Sequence, residues 1–154
     1  MPNNTDSIAQ LLAIHESIQK ELDDALDSAE ALLTQPGDLT AQRWAETCWH
    51  ALRARTLAHI DEEEKTVFVR GAELGISRKQ LEQFERAHGR LRVLAEELDV
   101  GTFLGVSKAE ALDLARALDM FVHVYVTHAD REERVFAAVR RVHLRPSSPA
   151  TVPS

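Results

Sequence analysis

Apolar residues recur at intervals of three and four along four long stretches of the chain, and this spacing predicts four amphipathic helices. Ala, Leu, Glu and Arg, which are good helix formers, fill these stretches. Turn and capping residues predict where each helix begins and ends. The first helix is expected from Asp6 or Ser7 to about Leu33, and the second from Leu39 or Thr40 to about Ala72. The third begins with a capping box of Ser77 and Gln80 and ends near Leu98, and the fourth begins with a capping box of Ser107 and Glu110 and ends near His143.

The connections between these helices are short, which is typical of an all-α, antiparallel up-down four-helix bundle. Residues 34–38 and 71–75 carry strong turn signals, and residues 100–106 are predicted to be an irregular linker. Residues 1–144 are therefore expected to form one bundle domain. Residues 145–154 are polar and interrupted by prolines, so a disordered C-terminal tail is predicted there.

The inward stripe of the fourth helix is apolar except at one level, where His128 and Glu132 stand. A histidine and a glutamate four residues apart project from the same side of a helix. The second helix repeats this pair with His59 and Glu63. Burying an unpartnered imidazole or carboxylate costs several kcal/mol. Two such pairs on apolar faces therefore predict a shared buried partner, and a metal is the best candidate.

Single inward histidines, His15 and His88, occur on the first and third helices. Counting residues from the predicted helix ends places both at the level of the two pairs in an up-down bundle. Beyond that level the third helix is shorter than the others by about 15 Å of helix rise, and the following linker can span about 23 Å if it is extended. The four helices are thus expected to bring their polar residues into one layer.

This layer predicts a site for two metal ions, with two histidines on each ion and the two carboxylates bridging them. Nitrogen and oxygen donors with open coordination positions suit iron, manganese or zinc. The predicted ligands are His15, His59, Glu63, His88, His128 and Glu132.

The ordered set resembles the hemerythrin-like family, also called the HHE cation-binding domain, over roughly residues 8–140. The matching elements are His15, the HxxxE motif of His59 and Glu63, His88, and the HxxxE motif of His128 and Glu132. The resemblance implies a four-helix bundle around two non-haem iron ions bridged by an oxo or hydroxo group. It assigns the histidines of the first two helices to one iron, those of the last two to the other, and a bridging role to both glutamates.

One departure concerns the position one turn after His88. Oxygen-carrying members of the family have a fifth histidine there, and this chain has Arg92, which stays protonated and cannot ligate. The iron held by His88 and His128 is then expected to lack a protein ligand. Tyr125, one turn before His128, is expected either to ligate that iron or line its open position, or to pack in the core. This departure disfavours simple reversible oxygen carriage.

Composition limits the possible functions. The net charge of −7 and the pI near 5.5 argue against nucleic-acid binding, which would need a basic face. No apolar run approaches the ~20 residues of a membrane span, and the N-terminus does not have the pattern of a secretory signal. A single cysteine, Cys48, allows no internal disulfide, so a cytoplasmic location is expected. The oligomeric state is left open.

Other residues receive plainer interpretations. His50 is predicted to lie on the surface, His123 on the flank of the site and His143 at a frayed helix end. Cys48 is predicted in the core, and Trp44 and Trp49 in packing or interface positions. In the acidic run of residues 61–64, all members except Glu63 are expected to form a solvated face.

Two classes of function remain. The first is a binding or sensing protein whose di-iron centre takes up O2, NO, peroxide or iron itself, and the second is an enzyme that consumes hydrogen peroxide or O2 at the same centre. Ferritin-like chemistry fits poorly, because it uses Glu-x-x-His pairs with additional glutamates. A bis-histidine haem bundle leaves Glu63 and Glu132 without a role, and a metal-free bundle must account for six buried polar groups.

Overall fold

The predicted all-α bundle of four helices is confirmed by the computed structural model, which describes residues 4–144 and the side chains of residues 8–142. The helices are α1 (Asn4–Thr34), α2 (Leu39–Thr66), α3 (Arg78–Leu98) and α4 (Lys108–Leu144). α1 packs along α2 and α4, and α3 packs mainly along α4. Residues 4–144 contain no strand and no helix that combines the length and apolar character needed to cross a membrane. The predicted tail, residues 145–154, lies outside the described residues.

Three of the four predicted helix starts are confirmed, and the predicted start of α1 is wrong. At the start of α2 the Asp38 side chain accepts a hydrogen bond of 2.9 Å from the Thr40 N–H. α3 opens with the reciprocal capping box of Ser77 and Gln80. α1, by contrast, begins at Asn4, so Asp6 lies inside its first turn and is not its cap. Ser107 accepts the Glu110 N–H at 3.1 Å before α4.

The end of α2 also differs from the sequence expectation, because the helix stops at Thr66 and does not reach Ala72. The chain continues as a 3₁₀ turn, Phe68–Arg70, and a single α-helical turn, Gly71–Leu74. Valine and phenylalanine are weaker helix formers than the residues before them, and here the Phe68 ring packs on the rings of Phe84 and His88. Tertiary packing thus favours the break that helix propensity permits.

Two apolar clusters make up the core, and the polar layer lies between them. The smaller includes Leu11, Val67, Phe84 and Phe136, and the larger includes Ile18, Ile60, Leu91 and Tyr125. α1 and α3 run from the smaller cluster through the layer to the larger, whereas α2 and α4 run the opposite way. This alternation is the up-down arrangement that puts all four polar positions at one level.

The predicted irregular linker between α3 and α4 is fixed to the start of α2. The Phe103 N–H donates to Glu46 at 2.9 Å, and the Gly105 N–H donates to Gln42 at 2.9 Å. Gly105 has a φ of 77°, a conformation that glycine adopts without a steric penalty. These contacts set the height of α4 relative to α2 and therefore the level of its inward residues.

Candidate metal centre

All six predicted side chains converge in the layer between the two apolar clusters. Each is buried, with an exposed fraction of at most 5%. They form two overlapping groups, in each of which one ligand atom per residue lies within 4.8 Å of the others: His15, His59 and Glu63 in the first, and Glu63, His88, His128 and Glu132 in the second. The structure thus groups the histidines of α1 and α2 apart from those of α3 and α4, and their assignment to two separate ions stays a prediction.

Glu63 is the residue that the two groups share, and its two oxygens face different groups. Oε1 lies 3.2 Å from Nε2 of His15 and contacts Nε2 of His59. Oε2 lies 3.3 Å from Nε2 of His88. A carboxylate oriented in this way can bind one cation through each oxygen.

The second group is built around His88 and His128, whose Nε2 atoms are 2.8 Å apart. Oε1 of Glu132 contacts Nε2 of His128 within the same helix, as expected for residues four apart. Unlike Glu63, Glu132 belongs to this group alone. A bridging role for Glu132 therefore stays a prediction.

Several buried polar atoms of the layer have no hydrogen-bond partner in the described part of the chain. They include Nδ1 of His15, both ring nitrogens of His59, Oε2 of Glu63 and both oxygens of Glu132. Several of them lie close to another ionisable side chain of the layer, but without the geometry of a hydrogen bond. Buried polar and charged atoms without partners are strongly destabilising unless a counter-ion satisfies them. The donor set of imidazole nitrogens and carboxylate oxygens suits a transition-metal cation, so the residues fit a metal.

The electrostatics of the layer also favour a bound cation. Burial, followed by the close approach and negative charge of Glu63, raises the pKa of Glu132 well above its usual range. Burial also acts to raise the pKa of Glu63, but the close polar groups of Glu132, His15, His59 and His88 outweigh it and hold that pKa well below its usual range. Without metal, the two carboxylates therefore share one proton. A bound cation would take over the role of that proton.

His128 is suited to ligation because it stays neutral. Burial, and then the nearby His88 ring, lower the pKa of His128 to about 3. A neutral imidazole presents the lone pair that a metal requires, whereas an imidazolium does not.

An outer layer of contacts involves Glu64, which sequence analysis assigned wrongly to a solvated face. Oε1 of Glu64 lies 3.1 Å from Nδ1 of His88. Arg92 donates to both oxygens of Glu64 at 2.7 Å and to Asp61 at 2.8 Å. The Arg92 hydrogen bonds, assisted by one from His88, lower the pKa of Glu64 despite its partial burial. Nothing in the local sequence marks this pairing, because the partners are on different helices.

Aromatic rings cover the histidines on the side of the smaller apolar cluster. The Phe68 ring stacks on His88, with centroids 4.9 Å apart and an interplanar angle of 18°. Phe84 meets His128 edge-on at 5.6 Å. These rings fix imidazole orientation and keep water from that side of the layer.

Tyr125 is fully buried, and its ring meets the ring of His15 edge-on at 6.3 Å. Its hydroxyl has no partner among the described residues. Burial, and then the negative charges of Glu63 and Glu132, raise the pKa of Tyr125 far above its usual value. The phenol is therefore protonated and available as a hydrogen-bond donor, and ligation by Tyr125 stays a prediction.

Residues assigned to plainer roles are placed largely as expected. His50 and His123 are exposed, and Cys48 and Trp49 are buried. Trp44 is 44% exposed. The side chain of His143 lies outside the described residues.

Comparison with known proteins identifies the family. The family model described as the hemerythrin HHE cation binding domain matches residues 6–140. No curated protein and no solved structure matches the chain. The match covers all four helices and both groups of buried histidines and glutamates, which together indicate a metal-binding protein. The chain therefore belongs to the hemerythrin HHE cation-binding domain family.

Proposed function

We propose that this chain is a non-haem di-iron protein that binds O2 or a related small ligand, such as NO or peroxide, for sensing, storage or redox signalling. The observation that carries the proposal is the position of Glu63, whose two oxygens face two different sets of histidines. A site for a single ion has no use for a shared carboxylate of this kind. Iron is preferred over manganese or zinc because the family fold and the donor set both suit it.

The residues of the chain have distinct tasks in this proposal. His15 and His59 would hold one ion and His88 and His128 the other, with Glu63 between them and Glu132 on the second. Iron would supply open coordination positions for O2, NO or peroxide and, for O2, the electrons that the bound ligand accepts. The apolar clusters exclude water from the layer, and the protonated hydroxyl of Tyr125 provides a hydrogen-bond donor in a buried setting.

A second function, an enzyme that consumes hydrogen peroxide or O2 at the same centre, is favoured by the second group of ligands. That group contains two histidines, and the nearby Arg92 directs its guanidinium to Glu64 and Asp61. Because Arg92 stands where oxygen carriers have a fifth histidine, this side would leave one more coordination position open to an exogenous ligand, which would promote further reaction of that ligand. As in the first function, a cytoplasmic location is part of the proposal.

Metal analysis of the purified protein tests the proposal directly. We expect close to two iron equivalents per chain, an optical spectrum that changes when azide is added, and Mössbauer parameters of two coupled high-spin ions. One equivalent at saturation, or none, would contradict the di-iron proposal. Hydrogen peroxide then separates the two functions, because an enzyme consumes it over many turnovers and a binding protein reacts once.

A further inference from the structure

A surface groove of about 530 Å³ lies between α3 and α4 on the side of His128. Its α3 wall presents Arg86, Ala87 and Arg90, and its α4 wall presents His123, Thr127 and Arg131. His128 forms part of its lining although the imidazole is only 2% exposed. The groove thus connects solvent to one of the proposed metal ligands.

Positive charge is concentrated at this groove in a protein whose net charge is −7. Arg86, Arg90 and Arg131 form no ion pair with a carboxylate in the described part of the chain, whereas Arg53, Arg55 and Arg92 elsewhere do. Arg90 contacts the sulfur of Met120 at 3.4 Å, a neutral partner. Among the described residues, the carboxylates paired with the groove lining are Asp119, which lies 3.5 Å from Nδ1 of His123, and the buried Glu132, which contacts His128.

The spacing of the arginines explains how they converge. Arg86 and Arg90 are four residues apart and project from the same side of α3, and Arg131 projects from α4 toward the same groove. Guanidinium groups present planar sets of N–H donors that match the oxygens of carboxylates, phosphates and related oxyanions. Clefts lined by one sign of charge also raise the local concentration and association rate of counter-ions.

We propose that this groove is an anion-binding site that delivers small inorganic or carboxylate anions to the metal centre past His128. The anion-binding part of the inference stands independently of the metal, and the delivery part rests on the proposed function. An anionic ligand would thereby reach the His88–His128 side of the layer, where Arg92 stands in place of the fifth histidine of the oxygen carriers. The arginines should not raise the association rate of neutral ligands such as NO.

Association rates of azide and NO test the delivery. The variant Arg86→Gln/Arg131→Gln is compared with the charge-matched control Arg43→Gln/Arg141→Gln, whose exposed arginines lie outside the groove. At low ionic strength we expect the groove variant to bind azide at least about fivefold more slowly than the wild type, and the control to change less than about twofold. The difference should vanish at high salt, where the charges are screened. NO should bind all three proteins at equal rates.

Equal azide rates in the groove variant and the control would overturn delivery through the groove. A parallel slowing of azide and NO would overturn it too, since that result reports a general structural change. Retained metal content in each variant ensures that the rates compare intact centres.

Binding of inorganic phosphate tests the anion site without reference to iron. Two-dimensional NMR of zinc-loaded protein, titrated with phosphate, should shift the side-chain N–H resonances of Arg86, Arg90 and Arg131, and not that of Arg43. No shift at the groove arginines would overturn the anion site. Groove shifts in a protein that binds fewer than two iron equivalents at saturation would support the anion site while overturning the di-iron proposal, so the two failures are distinguishable.

Discussion

Oε1 of Glu64 lies 3.1 Å from Nδ1 of His88, the ring nitrogen opposite to the one that faces the other ligands. When Nδ1–H donates to Glu64, the Nε2 lone pair is left for a cation and the ring orientation is fixed. Arg92 holds both oxygens of Glu64 at 2.7 Å. Arg92, which stands in place of the oxygen carriers' fifth histidine, therefore acts on His88 through Glu64.

Replacing Glu64 should weaken metal binding although it is not a proposed ligand. Loss of a hydrogen-bond partner of a ligating histidine typically lowers metal affinity about 10- to 100-fold, and we expect this for Glu64→Ala. Glu64→Gln keeps an acceptor oxygen and should lose less. Affinity is measured by competition with a chelator, and Glu62→Ala, at an exposed position two residues away, is the control. Equal affinities for Glu64→Ala and Glu62→Ala would exclude the positioning role.

The two buried glutamates should not be equivalent. Glu63 belongs to both ligand groups and Glu132 to one, so Glu63→Ala should lose both metal equivalents. Glu132→Ala should retain the ion of the His15–His59 side at least partly. Metal content is measured after purification and after reloading. Identical loss of both ions in the two variants would instead mean that Glu132 also bridges.

Metal removal should destabilise the bundle, since it leaves two carboxylates and four imidazoles in an apolar layer. A ligand present at about 1,000 times its Kd stabilises the native state by about 4 kcal/mol. For a chain of this size each kcal/mol shifts the melting midpoint by about 2–4 °C, so chelation should lower the midpoint by on the order of 10 °C. The comparison uses circular dichroism of chelated and reloaded protein, and equal midpoints would argue against a buried site.

The metal-free protein should lose stability with acid through His128. Its pKa is 6.5 in the unfolded chain and about 3 in the folded protein, where burial disfavours the charged ring. Between these values the unfolded state binds the proton and the native state does not, so stability falls as the pH falls from about 6.5 to about 3. Glu132, with its raised pKa, acts in the opposite sense, so the contribution of His128 must be isolated by a variant.

The contribution of His128 is isolated by measuring the free energy of unfolding in urea for metal-free wild type and His128→Gln between pH 7 and pH 4. The wild type should lose more stability over this range than the variant, which has no ring to protonate. Parallel losses would indicate that the imidazole is solvated and titrates normally.

Arg92→His tests whether the missing histidine limits oxygen carriage. The variant adds an imidazole one turn after His88 and should slow autoxidation of the reduced protein in stopped-flow mixing with O2. It also removes the ion pair with Glu64, so Arg92→Gln is the matched control for that loss. Slower autoxidation in both variants would assign the effect to Glu64. If the wild-type protein binds and releases O2 reversibly over long times, the chain is an oxygen carrier and the argument from Arg92 is wrong.

The sequence by itself determined the four helices, their inward faces and the level at which the polar residues lie. Helical periodicity fixes which side of a helix His59 and Glu63 occupy, and connection lengths fix how far along the bundle they meet. Both rules depend on local geometry and chain length alone. Spacing alone therefore predicts that the six proposed ligands lie at one level, and the bundle places these six side chains in one buried layer.

Tertiary structure decided the features that depend on pairs from different helices. The Glu64–His88 contact, the break of α2 beside Phe68, the sharing of Glu63 and the arginine groove each join residues far apart in sequence. Periodicity gives the face of a helix but not its rotation against a neighbour or the rotamers its side chains adopt. Packing sets both, and it brought Glu64, which sequence analysis assigned to solvent, into contact with His88 and Arg92.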